Sequence, residues 1–511
     1  MSKAFFFSGL FTLLIPFLMS CQKVSSLEAA PAHLSSFVDT RSGLDDTRTD
    51  KSTKFDISET LVRHYLEESE VSANVQSIEP YSFEDGISFY VVNLDKGWRI
   101  ISSDARTNAV LAKGESGQFD ISANNNPNVR FWLNDIAKQV NLVKHSSIEK
   151  VDDSWRQMEQ FKRSSRIPLD SLHRSLPNNP DSVWVVIRHQ SDTTIQYFYD
   201  VPHLLTTKWG QDEPWNMALA PFSSTNMHYI TGCVPTAIAQ ILYYFHHFQG
   251  QPSGLYHSIS IQSMNPYNEW IYDPNTQTFV WAQTGDTSSI SRQSYCDNSP
   301  LWDAMPLDSV AAVSNSVGAG YVSDLMIDLG NRLTAIYRNS LTDVYSMSNT
   351  LEIDLSRCNL DYDWSLYNEA IRDSVVSNLT NARPVIVTGS NYQGGHAWII
   401  DGGYHKKTTI QETFTYHHIP RSELGEAMHP SLGVFVDWFI SLQDLHWFYP
   451  NAPKSFDRIT TTWPERYFRM NWGYDGHYDD GVYSCDVGGD WGFNTDKAIY
   501  YNLIPSASFE Y

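Results

Sequence analysis

Hydrophobic and polar positions change their spacing several times along the chain, and each change marks an element. After Lys3 comes an apolar run over residues 4–19, followed by Ser20 and Cys21. This has the charge, length and ending of an export signal and is short for a membrane span. Residues 22–50 are rich in Ser, Thr, Asp and Ala without periodicity and read as a flexible tether. From Lys51 the pattern firms. Residues 57–66 predict a short helix. Residues 87–94 and 98–101 predict two strands joined by the hairpin turn Asp95-Lys96-Gly97. Asn126-Pro127 offers a cap and a first-turn proline to a helix whose Val129, Trp132, Leu133, Ile136 and Val140 share one face. Residues 51–145 therefore form a small α+β unit.

A polar stretch over 146–182 follows, with Lys162, Arg163, Arg166 and Arg174 scattered through it. It predicts an exposed, cleavable connector, which with a strand pair at 183–187 and 194–199 occupies 146–200. The larger unit spans 201–511. In it, Ile238, Ile241, Leu242 and Phe245 mark one face of a helix beginning near Cys233, with Pro235 in its first turn. Residues 397–400 are an apolar run between glycines and predict a short buried strand. Residues 467–470 predict a strand entering the tight turn at 471–476.

Composition adds limits. A chain of 511 residues that is 41% hydrophobic and 14% aromatic has ample material for a packed core. Its net charge of -22 repels phosphate backbones, which argues against a nucleic-acid partner. The five cysteines contain no CxxC pair, so a zinc cluster is not expected. Leu18-Met19-Ser20-Cys21 resembles the lipobox of bacterial lipoproteins, in which the cysteine becomes the lipidated first residue. That implies removal of residues 1–20, a tether over 21–50 and an outer-membrane lipid anchor at Cys21. Such an anchor leaves the protein facing the periplasm or the cell surface, with release after processing open.

Three stretches carry candidate chemistry. Cys233 sits at or just before a helix start, beside Gly232, where free backbone N–H groups and the helix dipole favour a thiolate. His396 opens the apolar strand after Gly394-Gly395 and is a candidate base. Asn471-Trp472 enters the tight turn, where an amide could accept the imidazole N–H and an indole could shield that bond. A buried structural cysteine, a core histidine and a polar turn are the bland alternatives for each taken alone. Asp475, Asp479 and Asp480 crowd that turn but lack the alternation of a calcium loop.

The order Cys, His, Asn is that of papain-like peptidases. The chain resembles the streptopain family of these enzymes. The likeness lies in Trp209-Gly210-Gln211-Asp212-Glu213-Pro214-Trp215-Asn216, in residues 232–240, in residues 394–402 and in Asn471-Trp472-Gly473. Residues 322–330 are similar to that family's central helix, and the 51–145 unit to its inhibitory pro-region. The resemblance implies an α+β papain-like fold, a helical part plus a twisted antiparallel sheet, preceded by the small inhibitory pro-domain. It implies Cys233 as nucleophile, His396 as base, Gln211 as an oxyanion-hole donor, and Asn471 and Trp472 lining the histidine. Protein or peptide substrates and the chain's own pro-domain are the implied partners, with no metal or organic cofactor.

Two features depart from the family. Tyr474 stands where a second tryptophan is usual, and residues 404–464 form a long insertion rich in aromatics and histidines, a candidate lid or rim. Two rival classes stay open: a catalytically silent surface lipoprotein acting as an adhesin or inhibitor, and a papain-like acyl transferase.

Overall fold

The structure is a computed structural model that describes residues 18–22, 55–69, 74–84, 86–121, 126–152, 154–155, 182–219, 228–248, 259–262, 267–273, 278–284, 289–292, 299–337, 341–345, 352–391, 394–420, 454–485 and 497–505. The tether and most of the export signal lie outside them. Leu18–Gln22 forms a strand paired with Leu341–Tyr345. No helix among the described residues is long and apolar enough to cross a membrane.

The N-terminal unit is an antiparallel meander of Val75–Phe83, Gly86–Leu94, Trp98–Ser102 and Val110–Gly114. Its 94–98 turn requires a glycine: Gly97 has φ of 77°, and a Cβ there would sit 2.1 Å from the Gly114 carbonyl oxygen. Helix Glu59–Ser69 packs its Val62, Tyr65 and Leu66 in a core with Tyr90, Val92 and Ile101. The other face of the meander carries Phe89, Val91 and Ile100, which pack with helix Pro127–Lys144. That helix begins where the sequence predicts: the Asn126 side chain accepts from the Asn128 and Val129 N–H groups, and proline opens the first turn. The unit extends past residue 145, because Trp155 is buried beside Tyr65 and its Nε1 donates to the Thr107 carbonyl.

The meander does not stand apart from the rest. Ala112 and Lys113 pair with Tyr483 and Val482, and this short link joins the meander to the C-terminal sheet. The result is an eleven-stranded antiparallel sheet continuing through Lys454–Asn471, Gly394–Pro420, Val385–Asn391, Lys497–Pro505 and Leu360–Leu366. One core contains Trp132 and Val140 from the N-terminal unit together with Trp398, Met470 and Tyr483 from the C-terminal one. A second core, on the opposite face, is built on helices Cys233–Phe248 and Ser316–Arg332.

Two expectations are corrected. Residues 183–199 do not form a strand pair: Ser182–Val201 is one strand, paired along its length with Gly403–Pro420. The described parts of the 404–464 insertion form no separate lid. They prolong Gly394–Pro420 and Lys454–Asn471, so that beyond Gly403 the former runs between the latter and Ser182–Val201 as a three-stranded ribbon. His405 stacks on Phe198 within it, at 4.4 Å between ring centroids. His429 and His446 lie outside the described residues.

Candidate active site

Gly232, with φ of 95°, turns the chain into helix Cys233–Phe248 in a conformation that a side chain would strain. Cys233 is therefore the first helical residue, and it is buried with the apolar face of its helix. Thr231, two residues earlier, donates its N–H to the Gln211 carbonyl at 3.1 Å, which brings the Gln211 segment to the helix start. Gln211 is 3% exposed, and its Nε2 has no hydrogen-bond partner among the described residues. A buried amide donor left unpaired is costly, and oxyanion sites are built from such donors.

Gly394–Pro420 places His396 opposite Gly389 of the neighbouring strand. Side chains alternate across a strand. Ala397 and Ile399 accordingly pack into the Cys233 core, and Trp398 and Ile400 into the core of helix Pro127–Lys144. His396 follows the second set. Its ring lies 5.4 Å from that of Phe131, which spreads over Gly389 so closely that a Cβ there would be 2.5 Å away. His396 is 5% exposed and its Nδ1 has no partner among the described residues. Burial pushes its pKa down to about 4, because charging the ring there would forfeit its hydration.

The same helix makes polar contacts around the histidine. Asn128 Nδ2 donates to the Ala397 carbonyl at 3.0 Å and to that of Trp472. Lys497 Nζ donates to Asp135 Oδ2 at 2.6 Å, and Trp132 Nε1 to the Ser484 carbonyl at 2.8 Å. The N-terminal unit thereby sits against Trp472 and against the residue that follows His396.

Asn471 pairs with Ile399 and shares its face, towards the Cys233 helix. Its amide does not contact His396. Oδ1 accepts from Gln240 Nε2 and from the Gly473 N–H, and Nδ2 donates to the Thr207 carbonyl and Gln240 Oε1. Trp472 lies on the opposite face, fully buried between Trp398 and Tyr483 at ring distances of 5.6 and 5.0 Å. The structure therefore joins Gln211 to the Cys233 helix start, and His396 to Trp398 and the N-terminal unit. It holds the Asn471 amide on Gln240. Cys233 is disulfide-bonded, while Cys358 and Cys485 are buried and outside any disulfide.

The acidic turn is committed to internal contacts. Asp475 Oδ1 accepts from Trp215 Nε1 at 2.7 Å, Asp479 Oδ1 from the Trp472 N–H at 2.9 Å, and Asp480 Oδ2 from Ser116 at 2.6 Å. At the far end of the Cys233 helix, His246, His247 and Asp303 bring possible metal ligands within 4.8 Å of one another. A tetrahedral site with bonds of about 2.0–2.1 Å has an edge of roughly 3.4 Å, which falls inside that limit. His247 Nε2 lacks the outer partner that metal-bound imidazoles use. His247 Nδ1 lies 3.8 Å from Asp303 Oδ1 at this helix end.

Sequence reasoning passed over Gln240 and Asp401. Buried Asp401 accepts from His203 Nδ1 at 2.9 Å and from the Leu205 N–H at 3.1 Å, anchoring the start of the C-terminal unit to the His396 strand. The signal for both was a polar residue at an apolar-periodic position.

Comparison with known proteins fits this arrangement. Residues 54–140 match the Spi protease inhibitor family, and residues 209–426 match the peptidase C10 family. The second span contains Gln211, Cys233 and His396, whereas Asn471 and Trp472 lie beyond it. The protein is a cysteine-type endopeptidase that carries an inhibitor domain in its own chain.

These matches support a papain-like cysteine peptidase of the C10, or streptopain, family. Streptopain of Streptococcus pyogenes is 24% identical over 329 residues, spanning 62% of this chain and 68% of that protein. A fragment of Prevotella intermedia prointerpain A is 18% identical, with 83% of this chain and 98% of that one covered at a TM-score of 0.45. Active Prevotella intermedia interpain A is likewise 18% identical, with 60% and 95% covered at a TM-score of 0.31.

Proposed function

We propose that the chain is an exported, lipid-anchored cysteine endopeptidase made as a zymogen that processes itself. Cys233 is the nucleophile and His396 the base. The Cys233 thiolate attacks the substrate's carbonyl carbon, and the oxygen that takes up the charge is held by Gln211 Nε2 and the Cys233 N–H. The protonated imidazole gives its proton to the departing amine, leaving an acyl-enzyme, and then takes one from the water that hydrolyses it. Asn471 lines the Cys233 side, to which the imidazole turns once the pro-helix leaves, and Trp472 backs the strand on the other face. Lipidation of Cys21 would hold the protein at the outer membrane, on its periplasmic or outer face, until processing frees the enzyme.

The observation that carries this reading is the buried, unpartnered Gln211 amide tied to the helix start of Cys233. Since Cys233 is disulfide-bonded, activity requires reduction as well as loss of the pro-domain. The matured protein, treated with thiol reductant, should be labelled by an epoxysuccinyl peptide on Cys233 alone and should cleave peptides. Without reductant, labelling should be lost. Peptide cleavage that survives Cys233→Ala would overturn the assignment.

Ser182–Val201 is hydrogen-bonded in the ribbon along its length, so cutting within it requires unzipping a strand. Cleavage should fall before Ser182, and the mature enzyme should keep the strand. N-terminal sequencing of the processed protein checks this. A start beyond Val201 would show that the ribbon opens first.

A further inference from the structure

One fully buried amide ties together the segments that carry the proposed catalytic groups. Gln240 lies seven residues after Cys233, two helical turns along and on the same face. Its Oε1 accepts from Thr207 Oγ1 at 3.0 Å, the Trp209 N–H at 3.3 Å and Asn471 Nδ2 at 3.0 Å. Its Nε2 donates to Asn471 Oδ1 at 3.0 Å. Thr207 and Trp209 lead directly into Gln211, and Asn471 leads into Trp472. Helix Cys233–Phe248 is otherwise apolar up to Phe245 apart from Thr236, so core packing alone would place a leucine or methionine at this position.

We infer that Gln240 is a positioning residue, which fixes the Gln211 segment and the Asn471 strand in register with the Cys233 helix and so sets the oxyanion donor relative to the sulfur. The inference rests on the function proposed above. No hydrophobic side chain can make these contacts. Replacing Gln240 with one leaves the Asn471 amide and the Trp209 N–H short of a partner in a dry interior, and they must shift to find others. Displacement of a catalytic group by about 1 Å can cost on the order of 10² in rate. The deficit should be specific to reactions that place charge on a carbonyl oxygen.

The test uses the full chain, cut before Ser182 by an added protease and then reduced, with Gln240→Met, Gln240→Glu, Thr207→Val and Cys233→Ala compared with wild type. Peptide-amide turnover in Gln240→Met should fall by about 10² with KM within a few-fold. Binding of a peptide aldehyde, whose adduct carries the oxyanion, should weaken in parallel. Alkylation by an epoxysuccinyl peptide, which forms no such oxyanion, should stay within a few-fold of wild type. Thr207→Val removes one donor and should show the same pattern on a smaller scale.

A neutral carboxylic acid has the donor and acceptor of an amide, whereas a carboxylate only accepts. Gln240→Glu should therefore approach wild-type turnover in acid and lose it as pH rises. This variant and Thr207→Val also decide the matter if Gln240→Met does not fold. Turnover, alkylation and melting temperature falling together in all three variants would make Gln240 merely structural. Unchanged turnover in Gln240→Met, with Cys233→Ala inactive, would overturn the role of Gln240 alone. Activity in Cys233→Ala would instead remove the proposed function.

Discussion

Replacing His396 with alanine should lower kcat/KM of the matured enzyme by about 10² to 10⁴, the range that a positioned acid-base group supplies. The loss has a second component that can be read separately. A thiol with the ordinary pKa of about 8.5 is only about one-hundredth ionised at pH 6.5, so without an imidazolium partner few molecules carry the nucleophile. Alkylation of His396→Ala by an epoxysuccinyl peptide should therefore be slow at pH 6.5 and recover near pH 9. Peptide turnover should not recover, because proton delivery to the leaving amine is still missing. The imidazole is buried against Phe131 in the zymogen, so the variant must be compared after maturation and checked for folding. Near-normal turnover at pH 6.5 would take His396 out of the site.

The second large effect concerns the hold of the N-terminal unit. Phe131 is buried between His396, Trp398 and Gly389, and loss of a buried Phe ring costs about 3–5 kcal/mol, equivalent to roughly 10² to 10³ in affinity or more. A fragment covering residues 51–155 should inhibit the matured enzyme, and Phe131→Ala should weaken that inhibition by this factor. The fragment must include Trp155, which packs in its core.

The same contact makes the hold pH-dependent. The pKa of His396 is pushed down to about 4 in the zymogen, so the bound state holds the ring neutral. A released imidazole titrates near its ordinary value of about 6.5 or higher. Protons therefore bind the released state preferentially. The contribution is fully present above about pH 6.5 and is lost as pH falls from there towards 4, amounting to about thirtyfold at pH 5. Inhibition by the fragment that is equally tight at pH 7.5 and pH 5 would show that the ring is not what it buries.

Local chemistry explains what was legible in the sequence. The cap at Asn126-Pro127, the turn at Gly97 and the helix start at Gly232-Cys233 each follow from backbone requirements of a few neighbouring residues. The peptidase family segment was also readable, because Gln211, Cys233 and His396 each sit in a distinctive run within residues 209–426. What could not be read depends on partners far along the chain. Ser182–Val201 is a single strand because Gly403–Pro420 pairs with it, about 200 residues later. Alternation in residues 396–400 shows two faces, but only tertiary packing decides that His396 faces the pro-helix while Ile399 and Asn471 face the Cys233 helix. Gln240 was visible as a polar residue in an apolar helix, yet its two partner segments were not.

Among the described residues, the backbone seam between inhibitor and enzyme is three residues wide on the enzyme side: Val482 and Tyr483 pair with Lys113 and Ala112, and the Ser484 N–H donates to the Leu111 carbonyl. A long bare edge would invite other chains to add strands to it, the usual route from an open sheet to aggregates. So short a margin offers too little ladder for that. The mature peptidase can thus shed its inhibitor without becoming sticky at the margin it exposes, and a dissociated inhibitor finds few backbone bonds by which to climb back on.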